Sequence, residues 1–176
     1  PWLMTAAEVG RFETALAASG AEFVAVDGNP VDAVWTDRPE PPKGRVSLFP
    51  ESLAGESAEA KLVRLGEAIA KAGADAAVLT RPDSIAWAFN IRGYDVPHNP
   101  VVLAFAILPA DGRPTLFVAD EKLDDAVRAH LAPHVDVAAP TDLLGALDAL
   151  GGRKARIRID PTWTPEILVR RLEKAG

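Results

Sequence analysis

The sequence predicts an α/β fold, a mixed β-sheet flanked by helices, and three observations carry that expectation. From residue 45 onward, short apolar or β-branched runs alternate with amphipathic helical stretches, the rhythm of strands and the helices that cover them. Residues 101–108, VVLAFAIL, are apolar throughout, as a strand covered on both faces would be. Asp111-Gly112 then turns the chain back into residues 115–119, which sets one antiparallel hairpin inside the alternating pattern.

Residues 5–20 read as a helix, with Thr5 as N-cap, Glu8 completing a capping box, and an apolar stripe of Val9, Phe12 and Leu16. That stripe is expected to stay partly uncovered and to favour a homodimer. Residues 23–26 are a strand candidate, residues 27–30 (DGNP) a turn, and Trp35 a buried anchor. Pro39, Pro41 and Pro42 interrupt helix and sheet alike, so residues 36–43 read as a stiff linker.

Beyond it, residues 45–49 are an edge-strand candidate, and Ser57 caps a helix with Ala58, Leu62, Leu65, Ile69 and Ala72 on one stripe, stopped by Gly73. Residues 76–80 form a strand, and Asp83 is expected to cap a helix bearing Ile85, Trp87, Ala88 and Phe89, with Trp87 in the core. Asp120 is expected to cap a helix with Leu123, Val127 and Leu131, and Pro133 to end it before a strand at 135–137. Thr141 is expected to cap a helix with Leu143, Leu144, Leu147 and Leu150. Residues 155–159 alternate as a strand with one wet side, and Thr164-Pro165 opens the last helix.

Composition narrows the partners. The 176 residues are 48% hydrophobic, with 25 acidic against 19 basic side chains and a net charge of −6. No basic block stands out, so nucleic acid is disfavoured as a partner. There is no cysteine, hence no disulfide and no thiolate nucleophile, which suits a cytoplasmic location. No apolar run approaches a membrane span, and the first residues lack a signal-peptide pattern. The proline start, without an initiator Met, suggests that residues upstream have been removed or are unseen.

Chemistry-bearing residues concentrate in residues 80–100, with Arg81, Asp83, Arg92, Gly93, Asp95, His98 and Asn99. His98 could act as a base near neutral pH, yet no serine nearby is an evident nucleophile. The plainer reading pairs Arg92 with Asp95 across a loop, uses Gly93 for an unusual backbone angle, and lets His98-Asn99-Pro100 tie the loop to the next strand. His130 and His134 are four residues apart, but Pro133 should break their helix, leaving them as solvated helix-end histidines. HExxH, CxxC, Walker and GxGxxG patterns are all missing. Catalytic residues and metal ligands are therefore not expected.

The pattern DxIAWxFNxRGxDxxHNPVxxxxAI, residues 83–107, resembles the second domain of the three-domain Xaa-Pro aminopeptidases (aminopeptidase P). The upstream NPVDAVWTDRP, residues 29–39, resembles the end of their first domain. The resemblance implies a creatinase N-terminal type fold, ribonuclease H-like. It implies that residues 1–38 are the tail of the first domain, 39–44 a linker and 45–176 the middle domain, with the pita-bread catalytic domain absent. It also implies two divalent metal ions, manganese as a rule, bound in that catalytic domain and none here. The partners it implies are the catalytic domain and, in the whole enzyme, a peptide with proline second. Arg92, Gly93, Asp95, His98 and Asn99 would then form a substrate-binding or interdomain loop. Two rival readings are a stand-alone structural or interaction domain of this fold and the N-terminal region of a prolidase or creatinase relative.

Overall fold

The structure, a computed structural model, describes residues 2–26 and 28–176. Its centre is a five-stranded mixed sheet in the order β6-β5-β4-β2-β7. The strands are β2 (Ala76–Leu79), β4 (Phe105–Pro109), β5 (Thr115–Phe117), β6 (Asp136–Ala138) and β7 (Ile157–Arg158). β4 lies in the middle and runs antiparallel to both neighbours, with Val78 opposite Ile107 and Ala106 opposite Leu116. The outer pairs, β2 with β7 and β5 with β6, are parallel.

Side chains alternate between two cores, as the pleat requires. Ala106, Leu108, Leu116 and Val118 join Ile69, Ile85, Phe89 and Leu131 on one face. Ala76, Val78, Ile107 and Phe117 join Leu143, Leu147 and Leu168 on the other. The first face is covered by α4 (Ala58–Lys71), α5 (Pro82–Ala88) and α6 (Asp125–Leu131), and the second by α7 (Leu143–Gly152) and α8 (Glu166–Ala175). α7 and α8 pack so closely at Gly151 that a Cβ there would lie 2.8 Å from the Ala175 carbonyl carbon.

Ahead of the sheet come α1 (Ala6–Leu16), α2 (Pro30–Val34), β1 (Val46–Leu48) and α3 (Glu51–Ala54). The expected capping box holds α1: the Glu8 N–H donates to Thr5 Oγ1 at 3.3 Å and the Thr5 N–H to the Glu8 carboxylate at 2.8 Å. β1 does not join the main sheet. It pairs antiparallel with β3 (Ile91–Gly93), a strand that sequence pattern leaves inside a loop.

Several local expectations are corrected. Residues 23–26 pair with no strand and carry no regular secondary structure, and Asn29 caps α2, its side chain accepting from the Val31 N–H at 3.0 Å. Asp27 of the expected turn lies outside the described residues, as does Pro1. Trp35 is 46% exposed, not buried. α5 begins one residue before Asp83, because Pro82 supplies the fixed φ of a first helical residue.

Residues 120–122 make a separate 3-10 turn, so Asp124 rather than Asp120 caps α6. Residues 140–142 form a second 3-10 turn leading into α7, and α7 has no side-chain cap from Thr141 or Asp142. Pro165, not Thr164, occupies the cap position of α8. Only the second half of residues 101–108 is strand, because β2 and β5 end opposite Ala106 and Phe105. Val101, Val102 and Ala104 are buried without a ladder partner.

Candidate functional site

The loop from Tyr94 to Leu103 hangs from β3 and returns into β4. Its tip is a tight turn in which Asn99 N–H donates to the Val96 carbonyl at 3.2 Å. Pro97 and His98 occupy the central positions, and His98 takes φ 61°, the positive angle that a type II turn needs at its third residue. Gly93 N–H reaches the Pro100 carbonyl at 3.4 Å and Val101 N–H the Asn99 carbonyl at 2.8 Å, closing the base.

Asp95 anchors the loop. Its side chain has no exposed area, and both carboxylate oxygens are hydrogen-bonded. Oδ1 accepts from the Gly44 N–H at 2.9 Å, and Oδ2 accepts from the Leu103 N–H at 2.7 Å and from Lys122 Nζ at 2.8 Å. Lys122 is itself 5% exposed. One carboxylate therefore joins the end of the proline-rich segment, the returning loop and the 3-10 turn after β5. A buried pair of this kind stabilises only when further hydrogen bonds satisfy the charges; Asp95 has two backbone N–H donors besides Lys122, and Lys122 Nζ also reaches the Leu103 carbonyl at 3.5 Å.

Arg92 does not pair with Asp95, contrary to the sequence expectation. Its guanidinium lies 3.8 Å from the Phe49 ring centroid and donates to the Ile91 carbonyl at 2.8 Å and the Ala86 carbonyl at 3.3 Å. Gly93 is needed for space rather than for a special angle: a Cβ there would lie 2.7 Å from the Val101 carbonyl oxygen and the Val102 Cα. His98 and Asn99 are exposed at the tip, beside exposed Tyr94. Arg81 and Asp83 bond to each other at 2.6 Å, with Arg81 stacked 4.6 Å from the Trp163 ring.

Three buried polar residues escape the sequence reading. Lys61, 2% exposed, sends Nζ to Asn90 Oδ1 at 2.6 Å and to the Trp87 carbonyl at 3.0 Å, and lies 4.6 Å from the Trp87 ring centroid. Burial pushes its pKa below the ordinary lysine value, partly offset by nearby Glu56. Asn90, at φ 52°, follows the end of α5 as a left-handed residue often does and donates to the Glu56 carbonyl at 2.9 Å. Lys122 is the third. The available signal for Lys61 is its place four residues before Leu65 and eight before Ile69, on the apolar side of α4. Trp87, expected in the core, is 40% exposed and serves as the platform for Lys61 and Arg64.

His130 Nε2–H donates to the Phe89 carbonyl at 2.9 Å, so this histidine is part of the packing rather than solvated. His134 lies 3.6 Å from a Glu59 carboxylate oxygen. α6 ends at Leu131, ahead of Pro133, and the two rings have different partners. Among the described residues, no group of three or more His, Asp or Glu side chains stands together as metal ligands would. The residues present therefore do not fit a dinuclear metal centre. The hollow beside the returning loop is about 280 Å³ and is lined by Thr80, Pro82, Leu103, Phe105, Phe117 and Pro140 among others, a set without an acid or base. No helix among the described residues is long and apolar enough to cross a membrane.

Comparison with known proteins agrees with this fold. A probable Xaa-Pro aminopeptidase P from Fusarium vanettenii is 42% identical over 124 residues, 70% of this chain and 20% of that protein. One from Arthroderma gypseum is 35% identical over 156 residues, 88% of this chain and 24% of that protein. The chain thus spans a fifth to a quarter of these relatives' length. The crystal structure of X-prolyl aminopeptidase from Caenorhabditis elegans, described as a cytosolic enzyme with a di-nuclear active site, superposes with a TM-score of 0.80 at 29% identity. That match covers 89% of this chain and 26% of the nematode chain. The family model of the creatinase/prolidase N-terminal domain matches residues 37–176, and the chain belongs to that family.

Proposed function

We propose that the chain is a non-catalytic region of an Xaa-Pro aminopeptidase, with residues 1–38 closing a first domain, 39–44 linking, and 45–176 forming the middle domain. The superposition on the nematode enzyme carries this reading, because it accounts for nearly all of this chain with about a quarter of that one. The metal ions, manganese in this reading, and the hydrolytic step belong to a catalytic domain elsewhere in the longer protein. Manganese takes several hard oxygen ligands together, and the described residues offer no such group. A cytoplasmic location follows the nematode enzyme.

The turn bearing His98 and Asn99 is the part of this domain that faces the catalytic domain or the peptide entrance. Asp95 and Lys122 hold it in place from below, and the positive φ of His98 fixes the tip. Its residues act by position and contact, not by transferring protons. Calorimetric titration of the 176-residue chain with manganese, paired with an assay on a proline-containing tripeptide, tests the reading. Neither tight binding nor turnover is expected. Stoichiometric binding with turnover, both lost on changing His98 or Asp95, would overturn it.

A further inference from the structure

A groove of about 510 Å³ opens between α4, the turn that joins β4 to β5, and Pro133–His134. None of the loop residues 94–103 lines it. Leu62, Gly66 and Ala70 recur every four residues and so give it one face of α4. Gly66 lets the turn come close, since a Cβ there would lie 2.9 Å from the Ala110 carbonyl oxygen. Pro109, Pro114 and Pro133 complete an apolar lining, and a groove of this volume holds a small ligand or a short length of peptide.

The polar groups around that lining are acceptors. Glu59 and Glu67 lie eight residues apart on α4, and Asp111 belongs to the turn opposite. Glu67 and Asp111 have no ion-pair partner among the described residues. Arg113, the one arginine of the lining, spends its guanidinium on Asp136 and on the carbonyls of Ala132, Pro133 and Val135. His134 stands 3.6 Å from Glu59, and the three prolines bring no N–H. Such a groove attracts a cation with an apolar body and repels an anion.

Spacing narrows the occupant further. Eight residues of helix rise about 12 Å, which separates Glu59 from Glu67 by more than one small amine spans. An extended chain rises about 3.3 Å per residue and turns residues i, i+2 and i+4 to the same side. Basic residues four apart, about 13 Å, therefore reach both carboxylates while the residue midway meets the apolar lining.

We propose that this groove docks an extended segment of a partner protein that carries two lysines or arginines four residues apart and an apolar residue midway between them. The proposal goes beyond the function given above and does not depend on it. The probe is the peptide acetyl-Lys-Ser-Leu-Ser-Lys, dye-labelled at its carboxyl end and titrated with the full-length polypeptide by fluorescence anisotropy. Its blocked amino terminus keeps it out of an aminopeptidase centre.

Saturable binding that weakens with added salt is expected. Glu59→Gln with Glu67→Gln should weaken it roughly fivefold, and Ala70→Trp, which fills the groove, should abolish it. All three positions are exposed, so the melting temperature should hold. Replacing the peptide's leucine by serine should weaken binding, and replacing its lysines by glutamates should remove it. No saturable binding, or binding indifferent to the groove variants, would overturn the proposal. Equal binding of the leucine and serine peptides would reduce the effect to general attraction by an acidic surface and overturn it too. Binding by the 176-residue chain but not by the full-length polypeptide would show that the longer chain covers the groove itself, and would overturn an outside partner.

Discussion

Replacing Asp95 with Asn tests the idea that one carboxylate organises the loop. The substitution keeps the shape and one carbonyl oxygen, but leaves the Lys122 ammonium, 5% exposed, without an opposite charge, and turns the amide NH2 toward a donor that the carboxylate accepted from, the Gly44 N–H or the Leu103 N–H with Lys122. Breaking a buried ion pair from one side costs about 3–5 kcal/mol. For a chain of this size that lowers the melting temperature by roughly 6–20 °C. Lys122→Met alone is milder, because Asp95 still accepts from Gly44 and Leu103. In the double variant Asp95→Asn, Lys122→Met, no stranded charge remains, and the loss should be at least about 1 kcal/mol smaller than the two single losses added together. Urea unfolding of all four proteins measures this. An Asp95→Asn loss below about 1 kcal/mol, or strict additivity, would refute the anchoring argument.

Gly93→Ala should cost about 1–3 kcal/mol by overpacking, read as a lower urea midpoint, because the new methyl meets the Val101 and Val102 backbone. Asp75 is held below the usual carboxylate range by the Arg156 backbone N–H at 2.7 Å. Its depressed value adds stability that is complete above the ordinary carboxylate value near 4 and lost as pH falls through the lowered one. An Asp75→Asn variant should therefore show a flatter stability curve in acid titration below about pH 4. Lys61 has the opposite bearing. Its burial favours the neutral amine in the folded state, so stability gained from this group rises with pH between its lowered value and the ordinary one near 10.4. Relative to Lys61→Met, the parent chain should gain stability across that alkaline window in denaturant titrations.

The main sheet was legible because its strands carry period-two and all-apolar patterns that match how they are buried. Residues 101–108 announced the central strand β4, and Asp111-Gly112 announced its hairpin. Features set by tertiary contact were not legible. β3 has three residues and exists because β1 lies beside it, and Asp95 finds Lys122, 27 positions away, rather than nearby Arg92. Caps failed where 3-10 turns intervened at 120–122 and 140–142, since local residue preference cannot tell which turn the acidic side chain precedes. Residues 23–26 have strand composition, but a strand needs a neighbour, and none of the described residues provides it. The candidate loop was found from the sequence. The division of labour within it, Asp95 buried and His98 and Asn99 outside, came only from the geometry.

The central claim is that catalysis belongs to the longer protein and not to this region. The most direct test assays the full-length polypeptide and the 176-residue chain side by side on a tripeptide with proline second, with manganese and then with a chelator. Release of the first residue by the full-length protein, abolished by the chelator, and none by the chain alone is the predicted result. A full-length protein that leaves the peptide intact under manganese, or a chain that cleaves it unaided, would contradict the account.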